Sequence, residues 1–207
     1  MISHPNDGAK HALEAAFCRD VDNLLIGRLQ TQADSDEARE KLARVAHLED
    51  RKLIDQLASL GVTPAGLVAI QMVPLVLIAW ADHGVDQKER ACIFRQAKMF
   101  GILQTSEAYA LLDHWLDHRP PVLVFDTWRR FIRHEFAVMC SKKRATLVRI
   151  TKEQMVAVAR CSGGFMGLRR ISSNEQKLIQ AITRVLNDGC RAAQADGQTA
   201  RTRPKRA

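Results

Sequence analysis

The sequence lacks closely spaced cysteines, and it has few aromatic residues, of which only one is tyrosine. Its five cysteines are odd in number and far apart, which excludes a zinc knuckle and a disulfide framework. We therefore expect free thiols in a reducing compartment, and thus a cytoplasmic protein. A chain of 207 residues buries enough surface to fold without disulfides or a metal.

The common catalytic motifs are also missing. There is no G-x-S-x-G elbow, P-loop, G-x-G-x-x-G or H-E-x-x-H, because His134-Glu135 is followed by Phe and Ala. Gly163, Gly164 and Gly167 are typical of a helix stop, since no predicted strand precedes them. An enzyme with a helix-lined pocket remains an alternative.

No uninterrupted hydrophobic run reaches the length of a membrane span. Gln56 to Ala81 contains no ionisable residue, but it is interrupted by Pro64, Gly66, Gln71 and Pro74. Its densest part, Gly66 to Ala81, is shorter than the roughly 20 residues a bilayer requires. We predict a buried central helix, with a single transmembrane span as the alternative. The first ten residues do not resemble a signal peptide.

Helical periodicity dominates the remaining sequence, and turn dipeptides typical of hairpins are almost absent. We predict an all-α protein, a compact multi-helix bundle built from two pseudo-repeated helical hairpins with an N-terminal helical extension. The predicted helices cover about Ala9 to Gln30, a short helix opened by Ser35 and Asp36, Leu48 to Gly61, Thr63 to Trp80 with a bend at Pro74, Asp86 to Phe100, Thr105 to His118, Val122 to Cys140, Lys143 to Cys161 as one or two helices, and Ser172 to Asn187.

Three regions follow from this pattern. Residues 1–62 are predicted as an N-terminal extension packed on the core, and residues 63–190 as the main helical domain. Residues 191–207 have a basic composition without apolar periodicity, which predicts a disordered tail.

Two helix starts resemble each other. Asp86 and Ser172 each precede a glutamate by three residues, Glu89 and Glu175, which is the pattern of a capping box. Similar apolar stripes follow both starts. The sequence therefore predicts a helix, turn and capped helix used twice.

The segments that carry these starts also resemble a known family. Val73 to Asp82, followed by Gly84 to Arg90, resembles the helix-turn-helix signature of the tellurite-resistance TerB superfamily. Gly163 to Leu168 with Ile171, Ser172 and Glu175 is similar to its second half, so the resemblance covers about Thr63 to Leu186. Residues before Thr63 resemble the extension of uncharacterised bacterial members. The resemblance implies a small cytoplasmic all-α bundle, cation binding through turn acids in some members, and association with stress or membrane-linked systems.

The first of these turns is a candidate metal site. Asp82, Asp86 and Glu89 place three carboxylates around one tight turn, and Ca²⁺ and Mg²⁺ prefer oxygen ligands. The alternative is structural: Asp86 caps a helix, Glu89 closes the capping box, and Asp82 bonds turn amides or ends the preceding helix.

A second pattern suggests zinc. His114 and His118 are four residues apart on a predicted helix, which puts both rings on one flank, but no third ligand is identifiable.

The net charge of +8 is unevenly distributed. Residues 1–118 hold 12 basic and 17 acidic side chains, whereas residues 119–207 hold 19 and 6. A solvated helix face is the common meaning of such a basic stretch, and contact with phosphates or anionic lipid is the alternative. The candidate contacts are Arg129, Arg130, Arg133, Lys142, Lys143, Arg144, Arg201, Arg203, Lys205 and Arg206.

Together these patterns favour a non-enzymatic TerB-like interaction or stress-response sensor module with a protein partner that the sequence does not identify. Such a module would bind one divalent cation, Ca²⁺ or Mg²⁺, at the Asp82 to Glu89 turn. Binding of nucleic acid or an anionic membrane through the basic half is the second hypothesis.

Overall fold

A computed structural model describes residues 24–82, 84–161 and 171–202, with the backbone alone for 196–202. All regular elements in these ranges are helices, and no strand occurs there, which confirms the predicted all-α class. In chain order they are α1 (24–33), α2 (Asp36–Val45), α3 (Arg51–Ser59), a 3₁₀ helix (Leu67–Met72), α4 (Val73–Ala79), α5 (Gln87–Met99), α6 (Glu107–Asp117), α7 (Leu123–Val138), α8 (Ser141–Cys161) and α9 (Ser173–Thr202).

Side-chain caps begin several helices. The Ser35 hydroxyl accepts a hydrogen bond from the N–H of Ala38 at 3.2 Å, as predicted for the start of α2. The Ser106 hydroxyl accepts one from the N–H of Tyr109 at 3.2 Å, so α6 begins at Glu107, two residues after the predicted start at Thr105. Such bonds satisfy backbone donors that have no partner within the helix.

Two glycines follow helix ends close to the predicted limits of those helices. Gly61 follows α3 and Gly101 follows α5, with φ angles of 74° and 76°. Side chains with a Cβ rarely adopt this left-handed conformation, so glycine allows the chain to turn directly after each helix.

The apolar segment is divided, although the sequence predicted one bent α-helix from Thr63. Thr63 caps a turn, because its hydroxyl accepts from the N–H of Gly66 at 3.0 Å. The 3₁₀ helix follows, and α4 begins at Val73 with Pro74 in its first turn. Proline has no N–H, and it is tolerated in a first turn where that donor would lack a partner.

Helix α4 lies at the centre of the bundle. It contacts the 3₁₀ helix and each of α5, α6, α7, α8 and α9. Val73, Leu75, Val76 and Ile78 are each 1% exposed, which confirms that this segment is hidden from water. Among the described residues, no helix is long and apolar enough to cross a bilayer.

Helix α9 packs against α8 and against α7, and all three helices contact α4. The contact between α9 and α7 depends on Gly189, because a Cβ there would lie 2.9 Å from Cδ2 of the fully buried Phe136. Lys143 to Cys161 lies within a single helix, α8.

Helix α9 is longer than the sequence predicted. It continues from Ser173 to Thr202, whereas we expected a helix end near Asn187 and a disordered tail from residue 191. Alanines at 192, 193 and 195 are strong helix formers, which favours continuation after the apolar stripe ends. Residues 203–207 lie outside the described ranges.

One hydrophobic cluster joins the described parts of the predicted extension to the main domain. It includes Ile26 of α1, Leu42 of α2 and Leu57 of α3 together with Leu186 of α9. The domain boundary at residue 62 and the pseudo-repeat remain predictions.

Candidate functional site

The first predicted capping box forms at the start of α5. The Asp86 carboxylate accepts from the N–H groups of Lys88 at 2.7 Å and Glu89 at 2.8 Å. The Glu89 carboxylate accepts from the N–H of Asp86 at 3.0 Å, and the Glu89 side chain is buried. The structural interpretation of these two acids is therefore confirmed.

The second predicted capping box forms at the start of α9. The Ser172 hydroxyl accepts from the N–H of Glu175 at 3.1 Å, and the buried Glu175 carboxylate accepts from the N–H of Ser172 at 2.6 Å. Both pairs thus make the same reciprocal bonds, as the sequence pattern predicted.

Asp82 connects the two caps. Its Oδ1 atom accepts from the Ser172 hydroxyl at 3.2 Å and from the Asn174 amide at 3.1 Å. The sequence suggested bonds within the first turn, and it contained no signal that Asp82 would meet the second cap.

The predicted cation site at Asp82, Asp86 and Glu89 gains no support from this arrangement. Among the described residues, no group of three Asp, Glu, His or Cys side chains is placed to hold a metal ion. The carboxylates instead accept hydrogen bonds from backbone and side-chain donors. The structure does not test the sequence-based prediction that Ca²⁺ or Mg²⁺ binds there.

The histidine pair lies on one flank of α6 as predicted. The rings of His114 and His118 stack with centroids 4.7 Å apart. The aspartates that precede them, Asp113 and Asp117, both accept from the Arg90 guanidinium, at 2.6 Å for Asp117. In the part of the chain that is described, no third zinc ligand joins the pair.

Two of the predicted anionic contacts are engaged inside the molecule. Arg144 is buried, and it donates to the carbonyl of Phe136 at 3.1 Å, so it is not available to a partner. Arg130 donates to Asp50 at 3.2 Å and to Gln56 at 3.1 Å, which ties α7 to α3. Periodicity placed these arginines on a helix but gave no information about which helix would cover them.

The remaining predicted contacts are less engaged. Arg129 is exposed and pairs with Asp126 at 3.1 Å. Arg133, Lys142 and Lys143 are exposed, and none of the ion pairs among the described residues includes them. The side chain of Arg201 and residues Arg203, Lys205 and Arg206 lie outside the described part.

A small apolar cavity lies between α4, α7, α8 and α9. Its volume is about 80 Å³. That is about half of a cavity known to admit benzene, and it suits a single aliphatic side chain. Its lining is mostly apolar and consists of Gln71, Pro74, Phe100, Trp128, Phe131, Ile132, Glu135, Met139, Leu147, Thr151 and Leu186.

An open groove, which we call the α2–α7 groove, lies on the surface beside this cavity. It has a volume of about 460 Å³. The end of α2, the 3₁₀ helix and α7 form its walls, in which Val45 and Val138 are 55% and 72% exposed. The groove residues are Val45, Ala46, His47, Pro64, Ala65, Leu67, Val68, Gln71, Phe131, Glu135 and Val138.

The groove and the cavity meet at three residues. Gln71, Phe131 and Glu135 line both spaces. The side chains of Gln71 and Glu135 are half-buried, and neither makes a hydrogen bond or ion pair with the described residues. The arrangement can receive an apolar group in the cavity and a hydrogen-bond donor or cation at its entrance. Sequence reasoning missed this site because its walls come from distant segments.

Comparison of the chain with protein-family models, curated proteins and solved structures gives no match. The functional interpretation therefore depends on the geometry of the chain itself.

Proposed function

We propose that this protein is a TerB-like, non-enzymatic interaction module that docks a segment of a protein partner in the α2–α7 groove. The observation that carries the proposal is the junction of an exposed apolar groove with an apolar cavity, next to the carboxylate of Glu135.

The dimensions favour a protein segment over a free small molecule. The cavity of about 80 Å³ is well below the roughly 300 Å³ of a typical small-molecule site. The adjacent groove, at about 460 Å³, offers space for the rest of a helical turn or an extended segment. A buried anchor side chain surrounded by weaker contacts is the usual energetic pattern of a protein interface.

The charge at the junction specifies the partner further. Glu135 is half-buried and has no cationic partner among the described residues. A Lys or Arg next to the anchor would supply that charge, and a desolvated pair of this kind contributes to specificity. The expected partner segment therefore carries one aliphatic anchor and one basic side chain.

Site-specific photocrosslinking in cells that express the full chain tests this proposal. A photoreactive phenylalanine analogue replaces Val45 or Val138 in the groove, and Met99 provides a matched exposed apolar position outside it. We expect both groove positions to give the same crosslinked protein and Met99 to give none. Equal products from Met99, or no product from the groove, would contradict the proposal.

With the crosslinked partner purified, the junction can be tested directly. Glu135→Lys should weaken binding by at least about tenfold, because loss of a buried charge pair costs several kcal/mol. Glu153→Lys is the matched control, since Glu153 is an exposed acid of α8 paired with Arg149. Equal affinities of the two variants for the partner would show that the partner does not bind at this site.

Binding of an anionic polymer or membrane is the second candidate function. The exposed Arg133, Lys142 and Lys143 support it. The internal bonds of Arg130 and Arg144 reduce the number of cations that remain available.

A further inference from the structure

Helices α5 and α8 pack side by side and run in opposite directions. The Gln154 amide of α8 donates to the side-chain oxygen of Gln96 in α5 at 3.2 Å. Cys92 lies about one turn before Gln96, and Cys161 lies about two turns after Gln154. This antiparallel packing brings the two cysteines towards the same end of the helix pair.

The two thiols are neighbours in this helix pair. Cys92 is buried at 3% exposure, Cys161 is partly exposed, and the Cys161 side chain is close enough to act on the Cys92 thiol. Burial and, next, the nearby Cys161 side chain raise the pKa of Cys92 to about 12, so that Cys92 stays a thiol at neutral pH. Cys161 is thus the sulfur that a dissolved oxidant reaches first.

We propose that Cys92 and Cys161 form a redox-active pair, which hydrogen peroxide converts into a disulfide joining α5 to the end of α8. A disulfide requires the two sulfurs to approach to about 2.05 Å, and the antiparallel packing of α5 and α8 holds both side chains at the same end of the helix pair. This modification site is independent of the α2–α7 groove, because neither cysteine lines it.

The chemistry proceeds in two steps. The Cys161 sulfur attacks peroxide, the O–O bond breaks, and the sulfur becomes a sulfenic acid as one water leaves. The Cys92 sulfur then loses its proton and attacks the Cys161 sulfur, the S–O bond breaks, and a second water leaves. Two thiols are oxidised, and one peroxide is reduced to two waters.

Cys140 is the competing thiol, and geometry excludes it from this pair. It lies just before α8, whereas Cys161 is the last residue of that helix. A helix of 21 residues is about 30 Å long, so the two sulfurs cannot meet in the folded protein.

Peptide mapping of the oxidised full chain tests the proposal. The protein is treated with hydrogen peroxide, alkylated without reduction and digested with trypsin, which releases Cys92 in peptide 91–95 and Cys161 in peptide 161–169. We expect these peptides to be linked, and the link to disappear with dithiothreitol. The melting temperature should rise by about 5–10 °C, because the link closes a long loop.

Single variants provide the controls. Cys140→Ala should form the link as the wild type does, and Cys92→Ala should instead accumulate oxidised Cys161. Circular dichroism before treatment confirms that each variant is folded. Wild-type protein in which both peptides remain alkylated after peroxide would overturn the proposal. So would a link that forms only in urea, because the native contact would then have no part in it.

Discussion

Buried carboxylates at helix starts show how single residues stabilise this chain. Glu89 and Glu175 each accept a hydrogen bond from a cap backbone N–H, and both are buried. An N–H that loses its partner in a buried site costs more than the net worth of one hydrogen bond.

The caps lead to a stability prediction. Glu89→Ala and Glu175→Ala should each lower the free energy of unfolding by about 1–2 kcal/mol, measured by urea denaturation. Glu153→Ala is the control, because its exposed pair with Arg149 is worth less than about 0.5 kcal/mol. Equal losses for all three variants would show that the caps add nothing to ordinary surface contacts.

The same hydrogen bonds predict the result of metal titration. The oxygens of Asp86 and Glu89 already accept backbone donors, so a cation would have to displace those bonds. We expect no binding heat when Ca²⁺ or Mg²⁺ is titrated into the full chain in a calorimeter. A saturable binding heat that disappears in Asp82→Asn would contradict this expectation and support a cation site at the turn.

The cysteines differ in reactivity at the level of individual side chains. Hydrogen bonds from the backbone N–H groups at the start of α8, chiefly that of Lys143, lower the pKa of the exposed Cys140. Burial raises that of Cys92 to about 12. A lower pKa means more thiolate at neutral pH, and the thiolate is the species that reacts.

Limited alkylation with iodoacetamide near neutral pH should therefore modify Cys140 well before Cys92. The Cys92 rate should continue to rise with pH beyond the point where the Cys140 rate levels off. Mass spectrometry of samples quenched over time measures both rates, and Cys140→Ala removes the fast phase. Similar rates at the two sites would contradict this interpretation.

At the scale of elements, local sequence signals predicted several helix starts and ends correctly. They were less informative about whether a helix continues without a break. Ser35, Gly61 and the Asp86 capping box depend on a few neighbouring residues, and the structure confirms them. The apolar segment was predicted as one helix, because periodicity does not distinguish a 3₁₀ turn followed by α4 from a bent α-helix. The polar composition predicted an end of α9 near Asn187, whereas the helix propensity of the alanines that follow favours its continuation to Thr202.

The packing of α9 on α7 predicts the effect of a single methyl group. Gly189→Ala should lower stability by about 1 kcal/mol, because crowding against Phe136 outweighs the gain in helix propensity. Gly27→Ala is the matched control, since nothing lies within 4 Å of its Cβ, and it should raise stability by about 0.5–1 kcal/mol. Thermal unfolding measures the stability of both variants. A Gly189→Ala variant that is more stable than the wild type would show that the Phe136 ring can move to make room for the methyl group.

At the scale of the whole molecule, contacts between segments that are distant in the sequence form features that the sequence pattern did not predict. Val45 and Val138 line the same groove, and the Asp82 carboxylate accepts a hydrogen bond from Ser172. The local sequence pattern gave no indication of either contact. Contacts between distant segments also pair opposite charges. Arg130 of the basic half binds Asp50 of the acidic half, so part of the excess positive charge is neutralised within the molecule.

This internal pairing predicts how the full chain responds to salt when a short DNA duplex is offered. Joint replacement of Arg133, Lys142 and Lys143 by Glu should abolish the binding, whereas Arg130→Glu should lower stability and leave binding nearly unchanged. Three phosphate contacts would weaken wild-type binding about 40-fold between about 50 and 200 mM salt, because each contact releases counterions. Fluorescence anisotropy measures the affinity. Wild-type protein that does not bind at the lower salt concentration would exclude nucleic acid as the anionic partner, since exposed cations attract phosphates most strongly where screening is weakest.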